Sequence, residues 1–164
     1  MNNGQKTRVL FVCLGNICRS PTAEGVFSTI VEQRELSARI EADSCGTAAW
    51  HVGKAPDRRA TAAAALRGYD LGGLRARRVR AADFRHFDYI LAMDRENLAE
   101  LEALRPASYP GHLGLLLDFA GGAALREVPD PYYGGDEGFG QVLDLVELAS
   151  EGLLREICDA HPAG

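Results

Sequence analysis

The most constraining stretch of the chain lies near its start, where Arg8-Val-Leu-Phe-Val-Cys13-Leu-Gly-Asn-Ile-Cys-Arg19-Ser20-Pro21 runs without a break. Val9 to Val12 is a short apolar run with β-branched and aromatic members, which reads as a buried parallel strand. Ser20 followed by Pro21 reads as a helix start, with a capping hydroxyl and then a proline at the first helical position. Between them lies a loop with a thiol at one end and a guanidinium at the other, and Gly15 gives it freedom to turn. A strand–loop–helix unit of this kind gathers backbone N–H groups and the positive end of a helix dipole in one concavity. That concavity suits a phosphate-sized anion.

The same loop supplies a nucleophile. Cys13, at the rim of an anion nest beside Arg19, is expected to react as a thiolate. The planar fork of Arg19 matches two oxygens of a tetrahedral oxyanion. The Cys-x5-Arg spacing alone is weak evidence in a chain rich in arginine. The strand before it, the Ser-Pro pair after it and Gly15 within it weigh against a merely structural cysteine.

Composition narrows the function classes. The chain has 164 residues, enough for one full core, so a single domain over 1–164 is expected. The formal net charge of −5 argues against a general nucleic-acid binder. Four cysteines in this length make no disulfide framework, which fits a reducing, cytoplasmic setting. Lys6 and Arg8 before the apolar run faintly resemble a leader, but Asn16 and Arg19 interrupt it and no small-residue cleavage site follows. No apolar stretch reaches membrane-spanning length, so no membrane partner is expected.

Further along, Ala23, Val26, Phe27, Ile30 and Val31 recur at helical spacing, giving a first helix to about Glu35. Residues 39–45 alternate wet and dry as an edge strand does. Trp50 and His51 follow in a polar loop. Asp57 caps a helix over 58–68 that ends at Gly68. The basic run 72–80 reads as solvated surface first and as an anion-steering patch second. Phe87 to Met93 is a third strand, and Asp94 caps a helix over 95–104. Leu113 to Leu117 is a fourth strand, and a last helix spans about 136–159. Strands alternating with helices predict an α/β three-layer sandwich, with a four-stranded parallel sheet flanked by helices on both faces.

Before the last helix, Val128-Pro129-Asp130-Pro131-Tyr132-Tyr133 stands out. Two prolines fix φ on either side of Asp130. This reads as a rigid arm carrying a carboxylic acid, with aromatic rings beside it.

Over nearly its whole length the chain resembles the low-molecular-weight protein-tyrosine phosphatases, bacterial type. The resemblance rests on the Cys13–Pro21 loop, Gly46-Thr47, Trp50-His51-Val52-Gly53, Asp57-x-Arg59-Ala60, Ala92-Met93-Asp94 and Asp130-Pro131-Tyr132-Tyr133. It implies hydrolysis of phosphotyrosine in protein substrates, with inorganic phosphate as product. Cys13 would form a cysteinyl-phosphate, with Arg19 and the amides of Leu14, Gly15, Asn16, Ile17 and Cys18 holding the oxygens. Asp130 would act as acid and then base. Ser20 would hydrogen-bond the thiolate, and Asn16 would hold the loop's shape with Ser44 as its neighbour. Ile17, Trp50, Tyr132 and Tyr133 would line the aryl slot. No metal or other cofactor is implied, and a monomer is expected. The resemblance also implies a protective Cys13–Cys18 disulfide on oxidation.

One departure stands out. Many members carry a histidine where this chain has Leu74, and His51, His86, His112 and His161 offer no evident substitute. Three rival functions remain in view. Arsenate reductases share the fold and loop but need further paired cysteines, and only Cys45 and Cys158 are left for that. Protein-arginine phosphatases tend to have threonine in place of Ile17. A non-catalytic phosphate-binding module would need neither Cys13 nor Asp130. Secretion by a non-classical route also stays open beside the cytoplasmic reading.

Overall fold

The structure is a computed structural model that describes residues 6–122, 124–132 and 134–160. Four parallel strands form one sheet in the order β2-β1-β3-β4. They are β1 (Thr7–Cys13), β2 (Ile40–Gly46), β3 (Tyr89–Ala92) and β4 (His112–Leu115). The helices are α1 (Arg19–Gln33), α2 (Arg58–Leu66), α3 (Asp83–His86), α4 (Arg95–Leu104) and α5 (Glu137–Ala160). Right-handed crossovers between parallel strands require this alternation of strand and helix.

The period-two pleat of β1 divides the core. Val9, Phe11 and Cys13 pack on the side of α1 and α5, with Phe27, Val146 and Leu153. Leu10 and Val12 pack on the opposite side, with Phe84 of α3 and Leu101 of α4. The three-layer α/β sandwich expected from the sequence is therefore the fold. Phe11 meets Phe27 edge to face at 5.6 Å between ring centres, the offset geometry aromatic quadrupoles favour. Because β1 lies between β2 and β3, the strand order changes direction at its carboxyl end. That crevice is where ligands bind in open α/β sheets.

Most elements fall where the sequence puts them, with β2 at a sheet edge. Three local expectations are corrected. The first helix starts at Arg19, so Ser20 lies inside its first turn and Cys18 occupies the cap position without a capping side chain. Ser20 is drawn away from capping by other partners, described below. The fourth strand ends at Leu115, opposite Ala92, the last residue of β3. With no neighbour left to pair, Leu116 and Leu117 enter a 3-10 turn, Leu116–Phe119. The short helix α3 has no counterpart in the sequence reading.

Candidate active site

The loop after β1 curls back on Cys13. The Cys13 Sγ lies 3.0 Å from Ser20 Oγ and accepts the Asn16 backbone N–H at 3.2 Å. The tight return comes from Asn16, whose φ of 57° is left-handed. Asparagine tolerates that region better than most side chains do. The expectation that Gly15 provides the turning freedom is thus corrected. Gly15 instead makes room: a Cβ there would meet the His51 ring at 3.0 Å.

A hydrogen-bonded frame stands behind the loop. Asn16 Nδ2 donates to Ser20 Oγ at 2.8 Å and to Ser44 Oγ at 3.0 Å. Its Oδ1 accepts the backbone N–H of Arg77 at 3.0 Å. Ser20 Oγ also lies 3.3 Å from the Cys45 carbonyl oxygen, so its single proton can go to that carbonyl or to the Cys13 sulfur. Asn16, Ser20 and Ser44 are all buried, so an unmatched polar atom here would cost on the order of 1–3 kcal/mol. Gly46 completes the fit, because a Cβ on it would lie 2.6 Å from the Leu14 carbonyl oxygen.

Ser44 Oγ in turn donates to Glu24 Oε1 at 2.7 Å. Burial pushes the Glu24 carboxyl up to about 7; the Ser44 hydrogen bond and Arg77 oppose this, and Asp43 adds to it. Glu24 lies one helical turn beyond Ser20 on α1, so both reach the back of the loop.

Arg19 is buried although charged. Its Nη1 donates to Asp94 Oδ2 at 2.7 Å and to the Val128 carbonyl at 3.0 Å. Its Nη2 lies 3.7 Å from Asp130 Oδ2. The carboxylate of Asp130 is steadied by the Tyr132 backbone N–H, 3.1 Å from Oδ1. The arm is fastened to the sheet where Val128 N–H donates to the Met93 carbonyl at 2.8 Å.

These groups meet at one solvent-open cleft. Cys13, Leu14, Gly15, Ile17, Cys18 and Arg19 form its floor and near wall, and Trp50, His51, Asp130 and Tyr132 complete it. Trp50 is 71% exposed, as a residue at the mouth would be. Asn16, Ser20 and Ser44 lie behind the floor as its support. Tyr133 and His161 fall outside the described residues. Burial pushes the Cys18 thiol up to about 12, with Asp57 and Cys13 adding to the rise. Among the described residues no cluster of His, Cys, Asp and Glu is arranged to hold a metal ion, and no helix is long and apolar enough to cross a membrane.

Several contributors escape a sequence reading. Asp94 shows there as a helix cap but not as the partner of Arg19. Glu24 has no signal beyond its spacing from Ser20. Within the basic run 72–80, Arg77 is not simply solvated. Its guanidinium pairs with Asp43 and with buried Asp83, each at 3.1 Å. It thereby holds in place the backbone N–H that reaches Asn16. Leu74, at the departure from the family pattern, packs against the core.

A thiol, a guanidinium and a carboxylate around one anion-sized hollow at a sheet's switch point have the parts needed for covalent phosphoryl transfer. The sequence matches the low molecular weight phosphotyrosine protein phosphatase family over residues 8–162. The Schizosaccharomyces pombe low molecular weight phosphotyrosine protein phosphatase is 45% identical over 152 residues, covering 92% of this chain and 96% of the relative. The Bacillus subtilis low molecular weight protein-tyrosine-phosphatase YfkJ is 41% identical over 149 residues, 91% of this chain and 94% of that protein. Its crystal structure superposes with a TM-score of 0.91, covering 97% of this chain and 99% of that one. A crystal structure of a protein tyrosine phosphatase from Entamoeba histolytica, with Hepes in its active site, has a TM-score of 0.91 at 40% identity and covers 94% of this chain and 99% of that one. The chain belongs to the low-molecular-weight protein-tyrosine phosphatase family.

Proposed function

We propose that one catalytic domain spanning 1–164 hydrolyses phosphotyrosine in protein substrates through a cysteinyl-phosphate, with these residues in the following roles. Cys13 attacks phosphorus as the phenolic oxygen departs. Arg19 and the loop amides of residues 14–18 hold the equatorial oxygens, where charge builds in the transition state. Asp130 gives a proton to the leaving phenolate, then takes one from the water that cleaves the phosphoenzyme. Ser20 stabilises the sulfur as it leaves. Asn16 and Ser44 keep the loop in its curled form, and Ile17, Trp50, Tyr132 and Tyr133 shape the aryl slot.

The observation that carries this reading is the convergence of Cys13, Arg19 and Asp130 on one cleft, although Asp130 lies far along the chain. A binding module has no use for a nucleophile and an acid poised together. Arg19 supplies the charge stabilisation, so the mechanism calls for no metal. We place the enzyme in the cytoplasm as a monomer, and infer that oxidation of Cys13 is buffered by Cys18.

The test compares matched peptides carrying phosphotyrosine, phosphoserine or phosphoarginine, with Cys13→Ser as control. Phosphotyrosine should be preferred, and the variant should lose turnover while still binding vanadate. Preference for phosphoarginine, or near-normal turnover by Cys13→Ser, overturns the reading.

A further inference from the structure

Among the described residues, the Asp130 arm has no helix or strand of its own. It runs between the 3-10 turn and α5, so its place over the cleft depends on what ties it down. One end is tied by Val128, through Met93 and Arg19. The two prolines fix local φ but cannot set how far the carboxylate stands from the loop.

The other end meets Arg59. Its Nη2 donates to the Tyr132 carbonyl at 2.8 Å, and its Nη1 reaches the Gly134 carbonyl at 3.5 Å. The guanidinium carbon lies 4.8 Å from the Phe139 ring centre and 5.7 Å from that of Tyr132. These are cation–π distances. Asp57 holds the base of the same side chain, with Oδ1 3.3 Å from Nε and Oδ2 3.4 Å from Nη2. Asp57 also caps α2, and its own backbone N–H donates to the Ile17 carbonyl at 2.7 Å. A small apolar cluster of Cys18, Ala60 and Phe139 fills the space beneath, joining the starts of α1, α2 and α5.

A continuous path therefore runs from the phosphate loop at Ile17, through Asp57 and Arg59, to the peptide group of Tyr132. The N–H of that same residue steadies Asp130. We propose that Arg59 is a positioning residue that holds the Asp130 arm at a fixed distance from the phosphate loop. This rests on the reading of Asp130 as the acid.

Arg59 is exposed, and an ordinary surface ion pair contributes little to stability. Its contribution is geometric: a planar fork bridges two carbonyls of the arm while stacked on an aromatic ring. Lysine has a point charge and no such fork. Proton delivery is sensitive to small displacements, so losing Arg59 should weaken acid catalysis and leave phosphate binding alone.

The experiment measures kcat/KM, which covers the steps up to departure of the leaving group and excludes the phosphoenzyme hydrolysis shared by all substrates, for phenyl phosphate, whose leaving group needs a proton, and for a dinitrophenyl ester, whose leaving group does not. It uses wild type, Arg59→Met, Arg59→Lys, Asp130→Asn and the Arg59→Met/Asp130→Asn double variant. Arg59→Met should lower kcat/KM for phenyl phosphate about tenfold or more and hardly change it for the dinitrophenyl ester. Arg59→Lys should recover part of the loss. The double variant should be no slower than Asp130→Asn alone. Equal losses on both esters, as a folding defect would give, or a further loss in the Asp130→Asn background, overturn the role of Arg59. If Asp130→Asn itself shows no leaving-group dependence, the acid assignment fails first, and the two failures are told apart.

Discussion

One carboxylate serves both Arg19 and the start of α4. Asp94 Oδ2 accepts from the Arg19 guanidinium at 2.7 Å, while Oδ1 accepts the Asn97 backbone N–H at 2.8 Å. The orientation of the Arg19 guanidinium is thus set by a helix on the opposite face of the sheet from α1. Without Asp94, buried Arg19 would keep the Val128 carbonyl and the more distant Asp130.

Asp94→Asn separates these two duties. Asparagine is as good a cap as aspartate, so α4 should persist and thermal stability should change little. Arg19 loses its charged partner and gains freedom to tilt. We expect kcat/KM to fall about 10- to 100-fold, with weaker vanadate inhibition. Full activity with an intact fold would show that Arg19 needs no such partner.

Glu24 gives the fold a pH dependence with a definite sign. Its folded value of about 7 lies above the ordinary 4.5, so the folded state holds this proton more tightly than the unfolded chain does. The stabilisation is complete below the unfolded value and is lost as pH rises through about 7. The whole swing is on the order of 3 kcal/mol. Glu24→Gln stays neutral, so its stability relative to wild type should rise between about pH 5 and about pH 8. Denaturant unfolding at both ends checks this, and a constant difference would mean the carboxyl is not perturbed.

Ile17 lines the same cleft as Cys13. An isoleucine there favours a flat aryl group and offers nothing to the hydrogen-bonding edge of a phosphoguanidinium. Ile17→Thr adds a hydroxyl and makes the side chain smaller by one heavy atom. The ratio of phosphoarginine to phosphotyrosine hydrolysis should therefore rise in the variant. An unchanged ratio would mean that specificity is set elsewhere in the cleft.

Cys13 and Cys18 border the same cleft. A thiol pushed to about 12 is a poor target for peroxide, so oxidation should begin at Cys13. Its sulfenic acid can condense with the Cys18 thiol, forming the disulfide and releasing water. After peroxide and then a thiol reductant, wild type should regain most activity and Cys18→Ser much less. Mass spectrometry should find the disulfide in the first and sulfinic or sulfonic acid at Cys13 in the second. Equal recovery would make Cys18 a packing residue only.

The sheet and the loop were legible because short apolar runs, helix caps and the Cys-x5-Arg spacing are local signals. Asp94 was read as a cap from its place before a helix, and it does cap α4. Its bond to Arg19 spans 75 residues, and no local pattern reports such a pairing. Ser20 shows the opposite failure. The Ser-Pro pair is a fair cap signal, but Cys13, Asn16 and Cys45 compete for the hydroxyl. The helix therefore begins two residues earlier than Pro21, at Arg19. Arg77 looked like one of several solvated arginines, since nothing local marks Asp43 and Asp83 as its partners. Gly15 drew attention for its freedom, yet the left-handed residue is Asn16, held there by side-chain bonds to residues 20, 44 and 77.

That dependence of Asn16 on distant partners bears on synthesis. Cys13 is synthesised before each of the distant groups that support its loop. Its support arrives in instalments: Ser44 with β2, the Arg77 amide before β3, Asp94 at the start of α4, and Asp130 just ahead of the last helix. A nascent chain holding Cys13 and Arg19 alone has the reagents without the cradle. Hydrolytic competence in this enzyme is consequently a late event in folding, and its appearance marks the point at which nearly the whole chain has come together.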